Sequence, residues 1–401
     1  MPAVLAWRQT ETGGCRDGAY TLAMKRGVLV PHDMSNDQLV LMGCGDVGPI
    51  HEPVDAYSEL ARATLATADL RVAQCERVYS ERGALQVHSG GEHSRVAPHM
   101  ASVFTDCKFD VLSMASNHAM DWGEVAMLDT IGLLNAKGIR TVGAGRNLDA
   151  ARQPVIIEHR GVTIAFLAYC SVLRDGYAAE PHKAGVAPLR AHTYYEPMEY
   201  QAGTPPRVVT VPYEEDLAAL LEDIAAVKTK AQVVVLILHW GIHFIPKVIA
   251  DYQTTIARAA FDAGVDLILG HHAHVPKAIE VYRGNVCFYS LSNFIMSAPE
   301  ASQARMSRMV TQYGVALNPD YPRLPYGTDA KRTLIARAVC TPHGVQRVSF
   351  LPTLIDKQLR PEVLRHDDPR FDEAVRYMAW VSDAFDPRLQ IYGDEVVIGA
   401  G

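Results

Sequence analysis

From residue 38 onward, short unbroken apolar runs alternate with stretches in which apolar residues recur every three or four positions. Unbroken runs at 39–43, 70–73, 111–115, 233–238 and 267–269 predict strands buried on both faces, because a strand with one wet face would alternate apolar with polar. The three-to-four spacing predicts helices over 57–68, 97–107, 123–137 (closed by Gly138), 214–230 and 249–263. Such a strand–helix rhythm predicts an α/β protein. The runs at 155–158 and 162–168 flank His159-Arg160-Gly161 and predict a hairpin. Residues 171–212 carry prolines at 181, 188, 197, 205, 206 and 212 and read as a long loop, a candidate lid. Further strands are predicted at 278–282, 286–291, 334–340 and 345–352, with a Pro/Gly-rich stretch at 317–330. The expected domain plan is a loosely ordered extension over 1–37, a main domain over 38–355, and a helical tail over 356–401 packed on that domain.

Composition narrows the functional classes. The 401 residues are 48% hydrophobic and 21% charged, which excludes a disordered or fibrous chain. No run approaches the roughly 18 apolar residues of a membrane span. The N-terminus lacks the basic start and long apolar stretch of a secretory signal, so a cytoplasmic location is expected. Net charge is −7, from 38 basic and 45 acidic residues. This argues against nucleic acid as a partner and means that an anionic substrate needs local cations or a metal. Cysteines stand at 15, 44, 75, 107, 170, 287 and 340 with no CxxC. They read as core fillers in a reducing compartment rather than as a disulfide framework or a thiolate zinc site.

The chemistry-bearing residues follow the predicted strands. Asp46 follows the first, Glu76 the second, Asn117 and His118 the third, His239 a later one, and His271, His272 and His274 the next. In α/β sheets, ligands bind beyond the carboxyl ends of strands. One strand-end Asp is commonly a cap, and one such His a structural residue. Five successive strand ends bearing carboxylate, amide and imidazole groups together point to a divalent metal site, with Mn favoured and Fe, Zn or Ca as alternatives. Arg77, Trp122 and Trp240 adjoin these segments and are candidate substrate contacts; Arg174 and His182 are candidate anion grips. Gly143-Ala144-Gly145 lacks full phosphate-loop spacing and reads as a tight turn.

The segments Gly45-Asp46-Val47, Gln74-Cys75-Glu76, Ser116-Asn117-His118-Ala119-Met120-Asp121-Trp122-Gly123, Gly143-Ala144-Gly145-Arg146-Asn147, His239-Trp240-Gly241, Gly270-His271-His272-Ala273-His274 and Tyr289-Ser290-Leu291-Ser292-Asn293-Phe294 span about residues 38–296. In type and order this set resembles the CapA family, named for poly-γ-glutamate capsule synthesis, within the calcineurin-like metallophosphoesterase superfamily. The resemblance implies an α/β fold, a metallophosphatase-like αββα sandwich of two mixed β-sheets flanked by helices. It implies Asp46, Glu76, Asn117, His239, His272 and His274 as ligands of one or two metal ions. His118 matches the proton donor to the leaving group, with Asp121 orienting it. His271 is placed behind the ligands, and Asn293, His271, Arg77, Trp122 and Trp240 are expected around the substrate.

The chain departs from the pattern at four positions. Gly48 stands where the superfamily's Asp-x-His motif has its histidine, Gln74 replaces an Asn, Glu76 replaces a bridging Asp, and Ser292 replaces a Gly. The leading expectation is a metal-dependent, hydrolase-like enzyme acting on an amide or ester bond of a carboxylate-rich glutamyl or peptide substrate. Metal-dependent peptide epimerisation and a non-catalytic metal-binding role in polymer synthesis or export are the alternatives.

Overall fold

A computed structural model describes residues 38–89 and 94–399; the extension expected over 1–37, with Cys15, lies outside them. The strands of its two large sheets are, in chain order, β1 (Leu39–Gly48), β2 (Leu70–Cys75), β3 (Val111–Ser113), β4 (Arg140–Val142), β5 (Val155–His159), β6 (Val162–Cys170), β7 (Val233–His239), β8 (Leu267–His271), β9 (Ile279–Tyr282), β10 (Asn285–Phe288), β11 (Asn293–Met296), β12 (Arg332–Thr341), β13 (Gly344–Ile355), β14 (Pro361–Val363), β15 (Arg388–Tyr392) and β16 (Glu395–Gly399). One ten-stranded sheet runs β15-β16-β13-β12-β1-β2-β3-β4, with β11 also on β1 and β14 on β13. The six-stranded sheet runs β9-β10-β8-β7-β6-β5. Helices are α1 (Arg62–Leu65), α2 (Ser102–Asp106), α3 (Gly123–Ala136), α4 (Leu148–Arg152), α5 (Glu214–Lys228), α6 (Asp251–Ala263), α7 (Gln303–Tyr313) and α8 (Pro369–Val381). Both sheets mix parallel and antiparallel pairs and are flanked by helices, the expected αββα sandwich.

The unbroken apolar runs have a direct physical reading in β7. Val233, Val235 and Ile237 join the core shared with the ten-stranded sheet. Val234, Leu236 and Leu238 join a second core against Leu220 and Ile224 of α5 and Ile256 and Ala260 of α6. Each such side chain contributes roughly 1.5–3 kcal/mol by leaving water, so the strand that ends in His239 is held from both faces. Every residue of β1 is buried.

Parallel pairing aligns the strand ends. In the six-stranded sheet His239 stands beside His271 and Cys170 in register. In the other, Asp46 stands beside Gln74, and Gln74 beside Ser113. The β1 register shifts on both sides of Asp46, a bulge of the kind that re-aims a side chain near a site. Here β1 meets the turn before β11 so closely that a Cβ at Gly45 would lie 2.0 Å from Ser292 O. Only glycine lets Asp46 N–H donate to that carbonyl at 2.9 Å.

Several expectations are corrected. The helix expected over 57–68 is a 3-10 turn (Asp55–Ser58) followed by α1, because the Ser58 hydroxyl donates to Asp55 O and closes a local turn. The C-terminal segment is only partly helical. Besides α8 it supplies β14 and the β15–β16 hairpin, which lengthen the ten-stranded sheet, so it is built into the domain rather than packed on it. The alternation of Leu389 and Ile391 with Val396 and Ile398 across a Gly393-Asp394 turn carries that signal. Within 171–212, Ala191–Glu196 pairs with Arg207–Pro212 as a hairpin. The helix α7, capped by Ser302 and ended by Gly314 at φ +67°, falls in a stretch to which the periodicity assigned no element.

Ser292 adopts φ +70°, a backbone region that costs a non-glycine residue of order 1–3 kcal/mol, and its buried hydroxyl has no partner. Ser292→Gly is therefore expected to stabilise the protein by about 1 kcal/mol, read as a higher urea midpoint at unchanged slope.

Candidate metal centre

The aligned strand ends bring together most of the polar residues singled out in the sequence. Asp46 leaves the bulge in β1, and Glu76 follows β2. Asn117 follows β3, His239 ends β7, and His271 ends β8 just before His272 and His274. All are buried. His272 and His274 have φ of +88° and +57°, so the loop carrying them is wound left-handed to aim both imidazoles inward.

Two donor groups meet at the carboxylates. In the first, single ligand atoms of Asp46, Glu76 and His274 all lie within 4.8 Å of one another. His274 Nδ1 is 3.6 Å from Asp46 Oδ2. In the second, His239 Nε2 is 3.6 Å from Glu76 Oε1, 2.8 Å from Asn117 Oδ1 and 3.2 Å from His272 Nδ1. Asp46 Oδ2 and Glu76 Oε1 are buried with no hydrogen-bond partner. Two converging, unsatisfied carboxylate oxygens ringed by imidazole and amide donors fit a divalent cation.

The electrostatics agree. Burial first, and then the Asp46 charge, push the Glu76 carboxyl well above the usual glutamate range, against the Ser116 hydroxyl and the Arg77 charge. Burial, reinforced by neighbouring imidazoles, holds His239 and His272 well below the usual histidine range. Burial brings His274 down to about 4 despite Asp46 and Asn293. Neutral imidazoles are the form that ligates metals.

Beside this centre, His118 Nδ1 lies 2.6 Å from Asp121 Oδ2, and the His118 side chain is 21% exposed. Asp121 Oδ1 accepts from Tyr177 Oη at 2.9 Å. Burial would raise the Asp121 carboxyl, but bonds from His118, Tyr177 and Ser94 and the His118 charge together hold it below the usual aspartate range. Part of the 171–212 stretch thus contacts the site: Tyr177 bonds Asp121 of the dyad, and Ser171 N–H donates to the backbone carbonyl of His239.

The residues expected around the substrate need correction. Trp240 is fully buried in the core behind β7, stacked on Tyr289 with Nε1 donating to its carbonyl, so it walls no site. Arg77 is buried and donates to Gly48 O and Ser297 O. A Cβ at Gly48 would lie 2.9 Å from the Arg77 stem, so arginine fills the space a histidine at 48 would need. His271 is buried with Nδ1 3.0 Å from Asp46 Oδ1, and orients that carboxylate. Asn293 accepts from His274 Nδ1 at 2.8 Å and donates to His274 O and Ala330 O, which fixes that imidazole from behind. Trp122 stays half-buried under the Arg95 guanidinium. Of the turn expected over Gly143-Ala144-Gly145, only Gly143 bends, at φ +92°; Ala144–Gly145 is a short strand paired with Gly185–Val186, and Asn147 caps α4.

Sequence reasoning missed His243, whose ring centroid lies 3.8 Å from that of His272 and 5.7 Å from that of His274. A signal existed in His239-Trp240-Gly241-Ile242-His243, a second histidine four positions on. It also missed Ser116, whose hydroxyl donates to Glu76 Oε2 at 2.9 Å, and Tyr326, stacked 4.1 Å from His274.

Comparisons with known proteins agree with the sequence resemblance. The profile of the family described as "Bacterial capsule synthesis protein PGA_cap" matches residues 27–298. The PGA biosynthesis protein CapA of Bacillus subtilis (strain 168) is 36% identical over 204 residues, 51% of this chain and 47% of its own. The capsule biosynthesis protein CapA of Bacillus anthracis is 29% identical over 191 residues, 47% and 40% of the two chains. The chain thus spans about half the length of the curated relatives it matches. A solved structure described as a novel phosphatase of Mycoplasma pneumoniae aligns over 84% of this chain and 96% of its own, with TM-score 0.45 and 13% identity. Among the described residues, no helix is long and apolar enough to cross a membrane.

Protons and a cation compete for Glu76, whose raised pKa makes it take a proton before an ordinary glutamate does as pH falls. Mn²⁺ affinity measured by calorimetric titration is therefore expected to decline on acidification from pH 7 to 5. Loss of an inner donor in Asp46→Asn is expected to weaken it at least tenfold. Mn²⁺ at a hundred times its Kd is expected to add about 2.7 kcal/mol of stability; no gain in thermal midpoint would contradict the site.

Proposed function

The chain belongs to this family of bacterial capsule synthesis proteins, and from that premise we propose that it is a metal-dependent, hydrolase-like enzyme that cleaves or transfers an amide or ester bond of a carboxylate-rich glutamyl or peptide substrate. The observation that carries the reading is the pair of buried, unpartnered carboxylate oxygens of Asp46 and Glu76, set among imidazole and amide donors beside an accessible His118–Asp121 dyad.

Asp46, Glu76 and His274 would hold one divalent ion. Glu76, Asn117, His239 and His272 would hold a second, more strongly, since Gly48 leaves the first group short of a donor. Manganese suits this mixed oxygen and nitrogen set. A bound ion supplies Lewis acidity, polarising the substrate oxygen and making a water a better nucleophile. The chain's own contribution is proton handling and orientation. Asp121 binds His118 Nδ1–H, which fixes the tautomer and leaves Nε2 as the proton-carrying atom. Held ionised, Asp121 keeps the His118 ring aimed through this bond. His118 can then give a proton to the leaving nitrogen or oxygen as the bond breaks, and recover one from water. Tyr177 keeps Asp121 facing the imidazole. Asn293 and His271 keep His274 and Asp46 facing inward.

The test pairs metal identification with a screen of γ-glutamyl peptides, short peptides and phosphoesters in labelled water. Hydrolysis adds the mass of water to the products. Solvent deuterium at Cα without cleavage would replace this reading with epimerisation. For His118→Ala we expect Mn²⁺ affinity within twofold of the parent and a rate 10²–10⁴-fold lower, as loss of a general acid produces. Undiminished turnover in that variant would remove His118 from the mechanism.

A further inference from the structure

The stretch between β11 and β12 lies over one side of the metal centre. Its helix α7 is anchored by buried Met309, and its Tyr313 ring meets Phe244 edge-on at 5.1 Å. Tyr326, at the far end of the same stretch, stacks on His274 at 4.1 Å and lies 6.0 Å from Phe244. His243, His274, Phe244 and Tyr326 thereby form one continuous aromatic wall. Above it stands Arg305, in the first turn of α7, its guanidinium carbon 5.7 Å from the centre of the Tyr326 ring.

The surroundings of Arg305 leave its charge uncompensated. Its Nε is buried with no hydrogen-bond partner. Nη2 makes one long bond, 3.4 Å, to Pro325 O. Among the described residues, no carboxylate comes within ion-pair distance of it. Lys277, also buried, donates to Ile245 O and Val248 O. A half-buried guanidinium with an idle donor is costly unless an anion completes it, and its planar fork suits an oxyanion taken by two parallel N–H bonds.

We propose that Arg305, carried over the metal centre by α7, receives an oxyanion group of the substrate, a carboxylate or a phosphate, and so sets which anionic substrate reaches the metals. The buried rings of Phe244 and Tyr326 back this position, and Phe244 also meets Tyr313 of α7. This rests on the proposed metal centre as the reacting end of the same site. Arg305 touches substrate without moving a proton, so its loss weakens binding more than turnover.

The experiment is calorimetric titration of the full chain, with and without Mn²⁺, using inorganic phosphate and γ-glutamylglutamate as probes for the two sources of oxyanion. Parent protein is expected to bind at least one probe. Arg305→Met is expected to weaken that probe about 10- to 100-fold, the loss of a charge-assisted fork, while Mn²⁺ affinity stays within twofold. Arg305→Lys, which keeps the charge and loses the fork, is expected to fall between them, and serves as the readout should Arg305→Met fail to fold. Equal binding by parent and variants, or no binding of either probe by the parent, would overturn the proposal. A parent that binds no Mn²⁺ but loses metal-free anion binding on Arg305→Met would sink the metal reading alone and uphold this one.

Discussion

Two carboxylates brought together without water are the constraint around which this protein is arranged. Asp46 and Glu76 are both buried, and each keeps one unpartnered oxygen, that of Asp46 near His274 and that of Glu76 near His239. Like charges in a low-dielectric interior repel strongly, and each has lost its hydration. The fold supplies partial relief. His271 binds one Asp46 oxygen, Ser116 binds one Glu76 oxygen, and the Arg77 charge acts on Glu76. None of these reaches the two inward oxygens, and a divalent cation would suit both. The neutral imidazoles follow from the same burial, since an imidazolium there would lose its own hydration.

Holding such a pair requires backbone that cannot relax away from it. The scaffold meets this with strands packed on both faces, so that a strand end cannot shift without exposing apolar side chains to water. Local strain is placed around the candidate metal centre: positive φ at His272, His274 and Ser292, and a bulge at Asp46. Strain of this kind persists only when the surrounding packing over-determines it, and the two cores of the six-stranded sheet do so. Gly45 and Gly270 serve the same end by letting backbones approach where a Cβ would meet a carbonyl oxygen at 2.0 and 2.2 Å.

The centre is asymmetric. On one side, His118, Asp121 and Tyr177 form a chain of hydrogen bonds suited to moving a proton. On the other, His243, Phe244 and Tyr326 form an aromatic wall under the Arg305 guanidinium, which pairs with no carboxylate among the described residues. At Gly48 a donor familiar from the resembled superfamily is absent, and the Arg77 stem occupies its space while clamping β1 to the residue after β11. The departure is therefore a repacking around Arg77 rather than an open gap.

The chain's own order of residues determined the strand–helix rhythm, the burial of the strands on both faces, and the polar side chains at successive strand ends. Those are local properties: periodicity records which face of an element meets the core, and strand-end chemistry needs only the neighbours in sequence. The tertiary structure alone decided what each polar or aromatic side chain faces across the fold. Trp240 follows a site strand, yet the alternation of side chains along β7 turns it into the far core. Asn293 sits in a site motif and Arg77 adjoins one, yet they are spent on His274 and on backbone carbonyls contributed by residues 19 to 220 positions away. Arg305 and Tyr326 carry no motif, and they come to the centre because the stretch holding them is pinned at one end by β11, beside Asp46, and at the other by β12. Contacts closed over such separations depend on the packing of every intervening element, and no local pattern of residues encodes them.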